Sequence, residues 1–144
     1  MSRFARGKFV PTNPKKYIGL KPPTYRSSWE LQFMRFCDAH TSIQQWACEA
    51  IKIPYRNPLT GKQTIYVPDF LIQYADKNNK IHTDLIEVKP ENQAFLESVG
   101  KNKTRQAQFI QNQAKWAAAQ LWCKQQGIRF RVVTEKDIFH NGRG

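Results

Sequence analysis

The spacing of apolar residues changes period several times along the chain, and each change predicts an element. In YRSSWELQFMRFCDAH, Trp29, Phe33, Phe36 and Cys37 recur at helical spacing. Ser27 followed three residues later by Glu30 is a capping-box pattern, so a helix is expected over roughly 28–40. SIQQWACEAIKIPYRNP, QTIYVPDFLIQYA and IHTDLIEVKP are then rich in β-branched and aromatic residues. NPLTGK and DKNNK separate them with turn chemistry. Together they predict strands around 43–56, 63–75 and 81–89 in an antiparallel meander.

After Pro90 the chain turns polar, and FIQNQAKWAAAQLWCKQQG reads as a helix. Phe109, Ala117 and Leu121 are expected to share a face with neighbouring Trp116, and Gly127 fits a helix stop. IRFRVVTE predicts a short strand and KDIFH a last helical turn. The order α-β-β-β-α-β, a meander followed by a helical crossover, implies an α/β fold: a mixed β-sheet with flanking helices. No internal repeat or low-complexity tract interrupts it.

Residues 1–24 hold Pro11, Pro14, Pro22 and Pro23 among basic residues, and are expected to form an extended basic arm. Residues 25–144 then form a single domain, in keeping with a chain of 144 residues. A composition of 40% hydrophobic and 12% aromatic residues excludes a disordered chain. No apolar run approaches the ~20 residues of a membrane span, so no membrane partner is expected. The basic N-terminus lacks the apolar core of a secretory signal, and the three cysteines read as reduced, intracellular thiols. Cys37, His40 and Cys48 lack the second paired motif of a structural zinc site. Trp46, Trp116 and Trp122 are expected in the core rather than as base-stacking platforms.

Charge changes the picture more than composition does. The formal net charge is +12. Residues 1–29 and 98–134 each carry seven Lys or Arg and no acid, whereas nine of the eleven Asp and Glu lie between 30 and 97. A basic surface around an acidic centre implies a polyanionic partner, with nucleic acid favoured because no basic amphipathic helix suggests a membrane.

The acids fall at telling places. Glu87 and Lys89, two apart in LIEVKP, share one strand face. Counting nine residues each way from Asn78 in the DKNNK turn sets Asp69 opposite Glu87. Facing carboxylates repel unless a cation lies between them. Oxygen ligands favour Mg²⁺ or Mn²⁺, and Glu30 on the first helix is placed to complete the set. Lys89 would stabilise charge on a phosphate oxygen. The plainer alternatives are a solvated Glu87–Lys89 pair and a Glu30 that only caps its helix. Glu49 reads as part of a solvated strand face or as an outer acid of the same site.

Pro68-Asp69, then 17 intervening residues, then Glu87-Val88-Lys89 resembles the PD-(D/E)XK nuclease motif. The resemblance implies a restriction-endonuclease-like core. It also implies a metal held by Asp69, Glu87 and the Val88 carbonyl, with help from Glu30. YRSSWE, WACEAIKIPY, VPDF, IEVKP, NQAKWAAA and GIRFRVVTE further resemble the head-completion nucleases of tailed bacteriophages, relatives of the TnsA endonucleases. That likeness runs over roughly residues 7–138, with 91–108 the least similar part. It implies a metal-dependent DNA endonuclease acting after DNA packaging, with capsid or portal and neck proteins as further partners. The expected location is the host cytoplasm or the virion. Lys8, Lys15, Lys16 and Arg26 of the N-terminal region are expected to hold the DNA backbone, with Lys101, Lys103, Arg105 and Lys115. Lys115 shares a helix face with Asn112. Two alternatives stay open: a DNA-binding virion adaptor without catalysis, and a junction or repair nuclease on the same fold.

Overall fold

The computed structural model describes residues 6–89, 102–134 and 136–137. A first helix, α1 (Ser28–Ala39), starts where Ser27 Oγ accepts the Glu30 N–H at 3.1 Å, so the capping box is formed. The strands are β1 (Gly7–Lys8), β2 (Thr24–Tyr25), β3 (Ile43–Cys48), β4 (Ile53–Arg56), β5 (Gln63–Tyr66), β6 (Phe70–Ala75) and β7 (Ile81–Val88). The long helix α2 (Lys103–Gln126) and strand β8 (Arg129–Val133) follow. The main sheet runs β3-β6-β7-β8, antiparallel except for the parallel β7/β8 pair that α2 connects. This is the expected mixed sheet with flanking helices, and it has the restriction-endonuclease-like form.

Two of the three expected strands each divide in two. The 43–56 segment breaks after Cys48, where Glu49 takes φ 51°. The 63–75 segment breaks around buried Pro68, which has no N–H to give a ladder. The inner halves, β4 and β5, leave the main sheet and pair only with each other. The outer halves, β3 and β6, pair directly.

Both faces of the sheet are covered, which explains why β7 is buried through five successive residues, Asp84 to Val88. Phe33, Met34 and Cys37 of α1 pack on Trp46, Phe70, Ile72 and Ile86. On the other face Trp116, Ala119 and Cys123 of α2 pack on Leu85 and on Ile53, Tyr55 and Tyr66 of the β4–β5 pair. Trp122 lies partly buried against that second cluster.

The buried face of α2 differs from the expected one. Asn112, Trp116, Ala119 and Cys123 face inward, while Ala117 is exposed and Leu121 is 59% exposed. One buried residue is polar, so apolar spacing alone picks the wrong stripe. The helix also starts earlier than Phe109, capped by Asn102, whose side chain accepts the Arg105 N–H at 3.0 Å. Gly127 ends it in the left-handed region at φ 72°.

Within 6–24, the stretch expected as an extended arm lies against the domain. The Asp38 carboxylate accepts the N–H groups of Thr12 and Asn13, each at 2.9 Å, and Tyr17 bridges to Trp46. Lys136 and Asp137 are helical, and the rest of the expected last turn lies outside the described residues.

Candidate metal and DNA site

The register of β6 on β7 pairs Phe70 with Ile86, so Asp69 and Glu87 are next in line, as the count from the turn requires. Asp69 itself stands at the bend just before β6 rather than inside a strand. Two backbone bonds fix it there. Its carbonyl accepts the Glu49 N–H at 2.9 Å, and its Oδ2 accepts the Val88 N–H at 2.8 Å. The second bond ties Asp69 to the E-x-K segment across the sheet end.

Glu87 is 6% exposed and faces the α2 side. Its Oε1 accepts the Tyr66 hydroxyl at 2.5 Å, and its Oε2 lies 3.9 Å from Lys89 Nζ. Lys115 of α2 stands over the Tyr66 ring at 5.6 Å, and its charge also reaches Glu87. Glu30 approaches from the start of α1. Its Oε2 accepts the Ser27 hydroxyl at 3.2 Å.

The electrostatics follow from this crowding. Burial, then the Glu87 charge, pushes the Asp69 carboxyl well above the usual carboxylate range. Burial also raises Glu87, against the opposing pull of Lys89 and Tyr66. Glu30 is pushed up to about 7, first by burial and then by Asp69, with Arg26 opposing. Asp69 thus feels the Glu87 charge, Glu30 feels Asp69, and Lys89, Lys115 and Arg26 offset them only in part.

Among the described residues no three acids already converge as a finished ligand cage. Asp69 and Glu87 nevertheless set hard oxygen donors side by side at the sheet end, which fits a hard divalent ion. Glu30 reaches Asp69 through charge.

The other expected residues are spread more widely. Lys8 and Lys15 are exposed, on β1 and on the 3₁₀ turn Pro14–Lys16. Lys16 turns inward, its Nζ on the carbonyls of Asp38 and His40 at 3.0 and 2.9 Å. Arg26 pairs with Glu49 at 2.7 Å. Lys103 and Arg105 are exposed in the first turn of α2, and Lys101 lies outside the described residues. Tyr66 was not anticipated from the sequence. Its only signal is a tyrosine three residues before Asp69 whose hydroxyl needs a partner once buried.

A mixed sheet between helices, with a half-buried Asp69, a buried Glu87 and Lys89 at one sheet end, is the layout of a PD-(D/E)XK-like nuclease domain. The family model of the TnsA-like endonuclease N-terminal domain matches residues 40–135, and the chain belongs to that family. Over 142 residues it is 34% identical to the head completion nuclease of Enterobacteria phage T4, covering 92% of each chain.

Proposed function

We propose that this protein is a divalent-metal-dependent DNA endonuclease that hydrolyses phosphodiester bonds during phage head completion, with Mg²⁺ or Mn²⁺ as cofactor. Its work falls in the host cytoplasm or on the virion, where capsid or portal and neck proteins are further partners. The single observation that carries the reading is the facing, under-neutralised pair Asp69 and Glu87 at the end of β6 and β7. Family membership and the name of the T4 relative support it.

In this reading Asp69, Glu87 and the Val88 carbonyl hold the metal, with Glu30 supporting its shell. A bound divalent cation lowers the pKa of a coordinated water and polarises the phosphate. The chain's own residues do the rest. Lys89 places an ammonium beside Glu87, where it stabilises charge developing on a phosphate oxygen. Tyr66 fixes one Glu87 oxygen, which leaves the other directed at the site. Lys115 adds a second cation on the α2 side for phosphate contact. Residues 25–144 form the nuclease domain, and residues 1–24 are its basic N-terminal segment. Lys8, Lys15, Lys103 and Arg105 are free to meet backbone phosphates, whereas Lys16 and Arg26 are engaged within the protein.

Plasmid nicking with Mg²⁺, with Mn²⁺ and with EDTA tests the proposal. Metal-dependent nicking that Asp69→Ala and Glu87→Ala both abolish is expected. Full nicking by both variants defeats it.

A further inference from the structure

The β4–β5 hairpin belongs to neither the main sheet nor the helix layers, and its strands pair only with each other. Its inner face is locked down. Ile53, Tyr55 and Tyr66 are buried against α2, and Gln111 Nε2 donates to the Tyr55 hydroxyl at 3.0 Å. Tyr66, the last residue of β5, donates to Glu87. The hairpin is thus rooted in the acidic site.

Its outer face has the opposite character. Strand alternation puts Pro54 and Arg56 away from Tyr55, with Lys52 just ahead of them and Gln63 and Ile65 beside them. All five are exposed, as is Lys62 at the turn. From 50 to 68 the chain carries three cations and no acid. Lys52, Arg56 and Lys62 form no ion pair with any described residue, whereas Lys21 and Arg26 share Glu49, and Arg129 and Arg131 share Asp84.

The geometry points to this outer face as a grip on the phosphate backbone of the DNA being cut, with Lys52, Arg56 and Lys62 as the contacts. The grip rests on the nuclease reading above and supplies its substrate-holding surface. Arg56 pairs with Gln63, three residues from Tyr66. That is about 10 Å along the strand, or about three base steps at 3.4 Å each. The turn is already shaped, because Asn57 N donates to Lys62 O at 2.9 Å and Gly61 N to Asn57 O at 2.8 Å. Binding there costs little loop ordering. Phosphate contacts of this kind position a duplex without reading its sequence.

The test measures binding of uncut linear duplex in EDTA across a salt series, which separates it from cleavage. Arg56→Gln with Lys62→Gln is expected to make the slope of log K against log salt shallower by about 1.8, and Lys52→Gln alone by about 0.9. Affinity at about 0.1 M salt should fall at least about tenfold for the pair. Lys77→Gln with Lys80→Gln removes the same charge from the β6–β7 turn, at the far end of those strands, and should leave the slope unchanged. Circular dichroism and melting temperature check that every variant is folded. An unaltered slope in the folded Arg56/Lys62 variant overturns the grip. So does an equal loss in the Lys77/Lys80 variant, which would reduce the effect to net charge. Failure of the wild-type protein to nick DNA in any divalent metal would defeat the nuclease reading and leave the salt slope as an independent result.

Discussion

Strand β7 carries two buried carboxylates three residues apart, and they live in opposite conditions. Asp84 is 1% exposed and faces the α1 side, with Arg129 Nη2 at 3.0 Å and Tyr74 Oη at 3.1 Å from its Oδ2. Arg131 Nε stands 2.8 Å from the same oxygen, in ion-pair contact without an aligned hydrogen bond. Glu87 is almost as buried, but faces α2, a second carboxylate lies opposite, and its nearest ammonium is 3.9 Å away. One carboxylate has two guanidinium groups. The other faces Asp69 and has only a looser ammonium, Lys89, and the Tyr66 hydroxyl against it. Burial alone therefore does not mark a functional acid. On the proposed reading, what marks it is burial with weaker compensation, because a compact fold gains nothing from holding a carboxylate that its own cations do not offset.

That contrast can be broken in order of effect. Asp69→Ala or Glu87→Ala should cut the nicking rate by at least about 10³, or roughly 4 kcal/mol of barrier. Duplex binding in a gel-shift assay should survive or strengthen. The mirror experiment is Arg129→Gln with Arg131→Gln, which turns Asp84 into an uncompensated carboxylate. Urea denaturation should show a loss of about 3 kcal/mol. A loss below about 1 kcal/mol would mean that Asp84 was never stabilised by its arginines.

Smaller changes sharpen the Glu87 side. Tyr66→Phe keeps the ring in its pocket and removes the donor to Glu87. Metal affinity measured by calorimetry should drop about tenfold, with little change in the circular dichroism spectrum.

The smallest effect is in pH. Glu30 rises from an unfolded value of 4.5 to about 7, and Asp69 and Glu87 are raised in the same direction. The folded protein then binds more protons than the unfolded chain over this range, so stability falls as pH rises from about 4.5 to about 7. The Glu30 contribution is about 1 kcal/mol once discounted for partial exposure. Melting curves in EDTA between pH 5 and pH 8 should show the decline, and saturating Mg²⁺ should flatten it. Glu30→Gln should flatten it in part without metal.

Much of this was legible in the chain. Periodicity locates α1 to within a residue, because its apolar stripe and its cap agree. The register of β6 on β7 can be counted from the DKNNK turn, because a short hairpin fixes pairing and side-chain alternation fixes faces. The strands around Cys48 and Pro68 were not legible as separate pieces. Each segment keeps strand-forming residues on both sides of its break, and only the third dimension shows that β4 and β5 turn out of the sheet. The inward stripe of α2 was misjudged because a buried Asn112 replaces an apolar marker.

The sequence by itself determined the two main helices and the strand-rich stretch between them, the alignment of Asp69 with Glu87, and a strongly basic chain, since each follows from local spacing or from counting. Only the tertiary structure decided which acids are compensated and which cations are free. Arg129 and Arg131 meet Asp84 across a parallel strand pair more than forty residues distant in the chain. Lys16 turns inward and Arg26 pairs with Glu49 at the surface, whereas Lys52, Arg56 and Lys62 stay exposed without an ion pair among the described residues. Charge is written in the chain residue by residue, but its cancellation depends on distances that folding alone sets.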